Sequence, residues 1–415
     1  MDTASPAARP RRPPLAARVR RVEGAPVVAV RLWLDAGTRV ETIPGQGLLT
    51  GRMLEEGTSR RDWRRIAIDA EDRGMELSTF GAFEGHGVNV DAMAPDWELA
   101  LEWAAELLLD PAFPEDRCDW LRRQAAAELE GMADQPDTKS AWGFLEHLYT
   151  PHPRSRPVHG RAASLMTVTS ADCASLHAAA LRGGVIAAVA GTLDEEAVAR
   201  RLESLFGAVP ESRGAAFPPP VPPVGLPHRR HEVVVESEDQ AHLYVGHISV
   251  PRRHPDYTAL ELLAVVLGSG AGLTGRIPER IREREGLAYT AYAQTLAGSG
   301  EDAGRLVAYV GTSPDTVDRA ERGVIEEIAR LAADGITDRE MEEARSYLLG
   351  REPFRHETAR QWADILIEAE QYGLPLDDPA GRRADLLALD QATLTAAARR
   401  HLRPDDLRVT VGMPG

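Results

Sequence analysis

Five prolines fall within six positions near the middle of this chain of 415 residues: Pro218, Pro219, Pro220, Pro222 and Pro223. Such a run holds the backbone extended and removes amide donors, so neither a helix nor a central strand can pass through it. The stretch 208–232, "AVPESRGAAFPPPVPPVGLPHRRHE", therefore reads as a linker between two folded halves rather than as a free proline-rich ligand for a recognition domain.

The two halves spell the same order of elements. The first reads as a strand at 27–37, helices at 47–55 and 61–74, strands at 75–80 and 86–92, helices at 96–109 and 115–131, and a closing strand at 185–191. The second reads as a strand at 241–250, helices at 256–267 and 275–285, strands at 288–296 and 305–311, helices at 314–334 and 337–350, and a closing strand at 407–412. The clearest internal match pairs "LALEWAAELLLDPAFPEDRCDWLRRQ" with "DRAERGVIEEIARLAADGITDREMEEARSY", each two amphipathic helices around a breaker and an acidic start. Duplication of an α+β domain explains this, with domains at 15–207 and 233–415 and a disordered basic tail at 1–14. Adjacent hairpin-like strands predict a mixed, mainly antiparallel sheet in each domain, covered by helices on one face.

Composition narrows the function classes. Apolar residues at 43% and charged residues at 27% suit a water-soluble globular protein, and no run approaches the ~20 apolar residues of a membrane span. A net charge of −16 disfavours nucleic acid or an anionic membrane and suits a basic peptide or protein surface. The N-terminus has no apolar core of the kind a secretory signal needs, so a cytoplasmic location is expected. The two cysteines, Cys118 and Cys173, read as free thiols in a reducing compartment rather than a structural disulfide. Arginine in great excess over lysine, with Lys139 alone, fits a GC-rich bacterial genome.

The strings "LWLDAGTRVE", "MLEEGTSRR", "AEDRGMELST", "LLLDPAFPED", "REREGLAYT" and "VIAAVAG", in that order and spacing, resemble the insulinase/pitrilysin family of inverted-zincin metallopeptidases. The likeness is to its short two-domain branch, which includes the mitochondrial processing peptidase. It implies two homologous α+β domains, and paired subunits closing around an extended peptide. The family's chemistry rests on H-x-x-E-H followed by a glutamate about 75 residues later. Residues at i, i+3 and i+4 share a helix face, so two imidazoles can hold zinc beside the glutamate that deprotonates its water.

Aligned on Gly57-Thr58, those three positions are Leu48, Gly51 and Arg52. Leucine and glycine offer no donor atom, and a permanently protonated guanidinium would set a positive charge beside the metal. The third ligand position falls on Glu128, with Glu130 as the alternative; an ion pair between Arg52 and Glu128 is expected across the former site. Among the twelve histidines no pair has metal-ligand spacing: His228 and His231 lie in the linker, and His242 and His247 point to opposite faces of a strand. No other metal site is expected. Nor is there a G-x-S-x-G elbow, a Walker-type loop or a C-x-x-C pair.

The second half keeps what the first lacks. In the family's C-terminal motif an arginine and a tyrosine seven residues apart reach the substrate backbone; "IREREGLAYTAY" places them at Arg282 and Tyr289. The preceding glycine-rich "GSGAGLTG" (268–275) is a shorter version of a substrate loop found in the family's non-catalytic subunits. The resemblance thus implies a non-catalytic subunit of a heterodimeric zinc peptidase, with no metal of its own, a homologous zinc-bearing partner and an extended peptide substrate. A silent scaffold homologue and an active enzyme with atypical ligands are the alternatives.

Overall fold

The computed structural model describes residues 13–209, 217–236, 239–270, 274–375 and 379–415. The basic tail up to residue 12, residues 210–216 of the linker and 271–273 of the glycine-rich stretch lie outside the described residues.

Among the described residues, ten strands form two five-stranded sheets of identical design. In the first, β1 (Leu15–Arg21), β2 (Val27–Leu34), β3 (Glu76–Gly81), β4 (His86–Met93) and β5 (Val185–Gly191) lie in the order β1-β5-β2-β4-β3. In the second, β6 (Arg230–Val235), β7 (Ala241–Ile248), β8 (Ala288–Ala297), β9 (Arg305–Thr312) and β10 (Arg408–Pro414) lie in the order β6-β10-β7-β9-β8. Only β1–β5 and β6–β10 pair in parallel; every other ladder is antiparallel. The α+β duplication and the mixed sheets are as the sequence implied.

Each sheet is covered on both faces, not on one. Val28, Val30, Leu32 and Leu34 of β2 turn toward the helices Trp97–Leu109 and Glu195–Phe206, while Ala29 meets Ala359, Trp362 and Ala363 of the helix Ala359–Tyr372. In β5, Val185, Ala187 and Val189 enter the first layer and Ile186, Ala188 and Ala190 the second, which is why "VIAAVAG" is apolar without alternation. In the second sheet, Leu243, Val245, Val409 and Val411 pack with the helices Val317–Asp334 and Gln391–His401. Its other face carries Tyr244 and Tyr309 against Phe144, Leu148 and Tyr149 of the helix Pro136–Tyr149.

The helix on this second face of each sheet comes from the other half of the sequence, so the compact units are not contiguous halves. The first comprises the described residues within Met1–Ala127, Val158–Pro220 and His356–Leu376; the second those within Glu128–Pro157, Val221–Arg355 and Asp377–Gly415. This amends the boundaries at 15–207 and 233–415: residues 128–157 belong to the second unit and 356–376 to the first. The linker also ends earlier than 232, because Arg230 opens β6. An edge strand that opens with Arg-His-Glu right after a proline-rich run, with its valines only at Val233–Val235, has too little early apolar signal to stand out from a loop.

Candidate functional site

The helix α1 (Gln46–Arg52) is short and tightly held. Gly45 enters it with φ 97°, and the Glu41 carboxylate accepts from the amides of Gly45 (3.0 Å) and Gly47 (2.9 Å). Gln46 locks the turn further, accepting from the Thr42 amide at 3.2 Å and donating to the Asp172 carbonyl at 2.8 Å. This is an anionic cap on free amides at a positive helix end, which fixes the helix without a long hydrogen-bond ladder.

The face that would carry zinc is pressed onto β3. Leu48 is buried, and a Cβ placed on Gly51 would lie 2.1 Å from the Phe80 carbonyl oxygen and 2.4 Å from the Gly81 amide nitrogen. A Cβ on Gly81 would in turn lie 2.4 Å from the Gly47 carbonyl oxygen. Helix and strand backbones touch through paired glycines, so position 51 has no volume for any side chain, least of all a glutamate. Leu48, Gly51 and Arg52 thus offer zinc neither donors nor room; this chain's α1 does not fit the metal. Glu128 stands half-buried on the helix Glu115–Ala133. Arg52 lies on α1 in the first unit and Glu128 falls in the second.

Arg52 also acts on Glu55, which occupies the following 3₁₀ turn. Burial, aided by Glu56, pushes the Glu55 carboxyl up to about 7, against the opposing pull of Thr79 and Arg52. Glu56 is spent on Arg117. Since the folded-state value lies above the unfolded one of 4.5, the stability Glu55 contributes is full below about pH 4.5 and is lost as pH rises through about 7. Glu55→Gln should therefore leave stability unchanged near pH 4.5 and raise it at pH 8.5 by on the order of 2–3 kcal/mol, read as a pH-dependent gain in Tm. An equal Tm difference at both pH values would contradict the assignment.

The second unit arranges Arg282 and Tyr289 differently. Residues Glu279–Arg284 form a wide π-type turn that closes on Gly286 (φ 63°), with the Leu287 amide donating to the Ile281 carbonyl at 2.9 Å. Buried Ile281 and Leu287 anchor this turn, while Arg280 is consumed by Glu285 (2.9 Å), Glu327 (3.2 Å) and Glu326. Arg282 makes only a 3.5 Å approach to the exposed Glu283, and its guanidinium lies 5.2 Å from the Tyr289 ring centre. Tyr289 is 84% exposed, where a tyrosine on a strand would ordinarily fill the core. The cause is local: the β8–β9 register slips between Ala288 and Thr290, a bulge that turns Tyr289 outward on an edge strand. The exposed phenol and the partly exposed guanidinium beside it are both hydrogen-bond donors, suited to the carbonyls of an extended chain.

His242 and His247 do point apart, His242 to the Tyr309 hydroxyl (3.0 Å) and His247 to the Ile248 carbonyl (2.9 Å). Cys118 and Cys173 are buried free thiols. Sequence spacing did miss one group, His254, Asp256 and His401, which the fold gathers across a gap of 145 residues. Among the described residues, no helix is long and apolar enough to cross a membrane.

Residues 19–158 match the family model described as insulinase (peptidase family M16), and residues 184–348 match the model of the peptidase M16 inactive domain. A Mycobacterium bovis protein named as an uncharacterized zinc protease is 30% identical over 78% of this chain and 74% of its own length. A Helicobacter pylori protein named as a non-peptidase homolog is 23% identical over 80% of this chain and 76% of its own. Among solved structures, the peptidase M16 inactive domain from Pseudomonas fluorescens superposes with a TM-score of 0.88 at 23% identity, covering 97% of this chain and 96% of that one. A protease from Helicobacter pylori gives 0.86 at 16% identity, covering 96% of each.

Proposed function

Because the chain belongs to the M16 peptidase family and has Leu48, Gly51 and Arg52 where the H-x-x-E-H motif would stand, we propose that it is the non-catalytic subunit of a heterodimeric metallopeptidase. Its partner is a homologous chain with an intact H-x-x-E-H, which holds the zinc. The observation that carries this reading is the exposed Tyr289 with the half-buried Arg282 guanidinium beside its ring, while the neighbouring Arg280 is engaged by three carboxylates. Tyr289 is 84% exposed and, among the described residues, meets the Arg282 guanidinium, and a peptide backbone would use its hydroxyl and the Arg282 fork together.

In this role Arg282 and Tyr289 donate to carbonyl oxygens of an extended peptide, and to the oxyanion that develops when one carbonyl is attacked. The net charge of −16 favours a basic peptide or leader segment, and a cytoplasmic setting goes with this reading. The test is to co-express the chain with a homologue bearing H-x-x-E-H encoded beside it and to assay an unstructured basic peptide. Either chain alone should leave the peptide intact and the pair should cleave it. A partner fully active without this chain would overturn the subunit role in favour of a silent scaffold.

A further inference from the structure

The turn between β7 and the helix Tyr257–Ala264 meets the last residue of the helix Gln391–His401, and three metal-ligating side chains converge there. His401 Nε2 lies 2.7 Å from Asp256 Oδ2, and the rings of His254 and His401 stand edge to face with centres 4.9 Å apart. One ligand atom from each of His254, Asp256 and His401 lies within 4.8 Å of the others. We propose that these three residues form a binding site for a late first-row divalent metal such as Zn²⁺ or Co²⁺, separate from the lost site on α1.

The donor set is two imidazoles and one carboxylate, which suits such ions and leaves coordination positions open to water. A metal about 2.1 Å from each ligand needs them roughly 3–3.5 Å apart, so the side chains move by about an ångström or less. The scaffold is stiff enough to hold that geometry. Pro251 and Pro255 flank the turn, the His254 amide donates to the Pro251 carbonyl at 3.1 Å, and the Tyr257 amide donates to the His254 carbonyl at 3.0 Å. Asp256 stands at the N-cap of its helix yet makes no side-chain cap bond; its carboxylate turns to His401 and Arg400 instead. His401 is buried and Asp256 mostly so, which keeps the donors out of bulk water.

Two features oppose the ion and set the affinity. His254 Nδ1 accepts the Asp256 amide at 3.0 Å, and whichever ring nitrogen faces the metal, that bond is given up. The proton His401 Nε2 shares with Asp256 must likewise move to Nδ1 or to solvent. Arg400, whose guanidinium pairs with the same Asp256 oxygen, is a positive charge that competes for it. The expected site is therefore of moderate affinity, and it tightens when Arg400 is removed.

The test uses the full chain, untagged and stripped of metal, titrated with Co²⁺ by visible absorption and with Zn²⁺ by calorimetry. One ion should bind per chain. His254→Ala and Asp256→Asn should each weaken binding at least about tenfold, and Arg400→Ala should strengthen it several-fold. His254 is the control for folding, because it is half-exposed and its loss leaves the His401–Asp256 contact in place. Absence of binding, or binding that both His254→Ala and Asp256→Asn leave unchanged at matched circular dichroism, would overturn the proposal.

Discussion

Replacing Arg282 by alanine is expected to lower kcat of the assembled peptidase about 100-fold while leaving subunit assembly and Tm unchanged. The structural part of this expectation follows from its contacts: a 3.5 Å approach to Glu283 and a cation–π contact with Tyr289, both at the surface, stabilise the fold by little. The functional part follows from the role proposed for it, because a donor that strengthens its bond as charge develops on a carbonyl acts on kcat more than on KM. Arg282→Lys should recover only part of the rate, since an ammonium keeps the charge but not the planar fork. Tyr289→Phe removes a single donor and should cost about tenfold. Steady-state kinetics on the reconstituted pair, with sedimentation to check assembly, decides the matter. An Arg282→Ala complex of undiminished kcat would remove the assigned role.

Gly51→Ala is expected to destabilise the first unit by about 3 kcal/mol or more, a large effect for one added methyl group. The Cβ would lie 2.1 Å from the carbonyl oxygen of Phe80, a backbone atom of β3 that can retreat only if strand and helix separate. The same clash means that the triple substitution Leu48→His, Gly51→Glu and Arg52→His should not recreate a zinc site on the intact fold. Denaturant unfolding measures the first effect, and zinc affinity of an Asp256→Asn background the second. A triple variant in that background that is as stable as the parent and binds zinc would show that α1 and β3 part easily.

Much of the architecture is legible in the residues. Strand periodicity, proline positions and repeated amphipathic helices mark the duplication, and the closing strand Val185–Gly191 falls where its apolar run predicts. The helices Ala359–Tyr372 and Pro136–Tyr149 are another matter. Their apolar faces are visible, but nothing local says that each covers the sheet built from the other half of the sequence, because the pairing partner of an amphipathic face is not encoded in its period. β1 and β6 were hidden for a related reason: edge strands rich in arginine and histidine gain their place from a parallel ladder to a distant strand, not from their own hydrophobicity.

The candidate site divides in the same way. That Leu48, Gly51 and Arg52 cannot ligate zinc is a property of their side-chain chemistry, and the sequence alone determined it. That Arg282 and Tyr289 are seven residues apart is equally a matter of sequence. Only the tertiary structure decided that position 51 is closed by the backbone of β3, that a bulge turns Tyr289 out to 84% exposure, and that His254 and Asp256 meet His401. Side-chain chemistry is carried by each residue wherever it sits, whereas room, exposure and convergence depend on which distant backbone lies alongside, and that is settled by the packing of the whole unit.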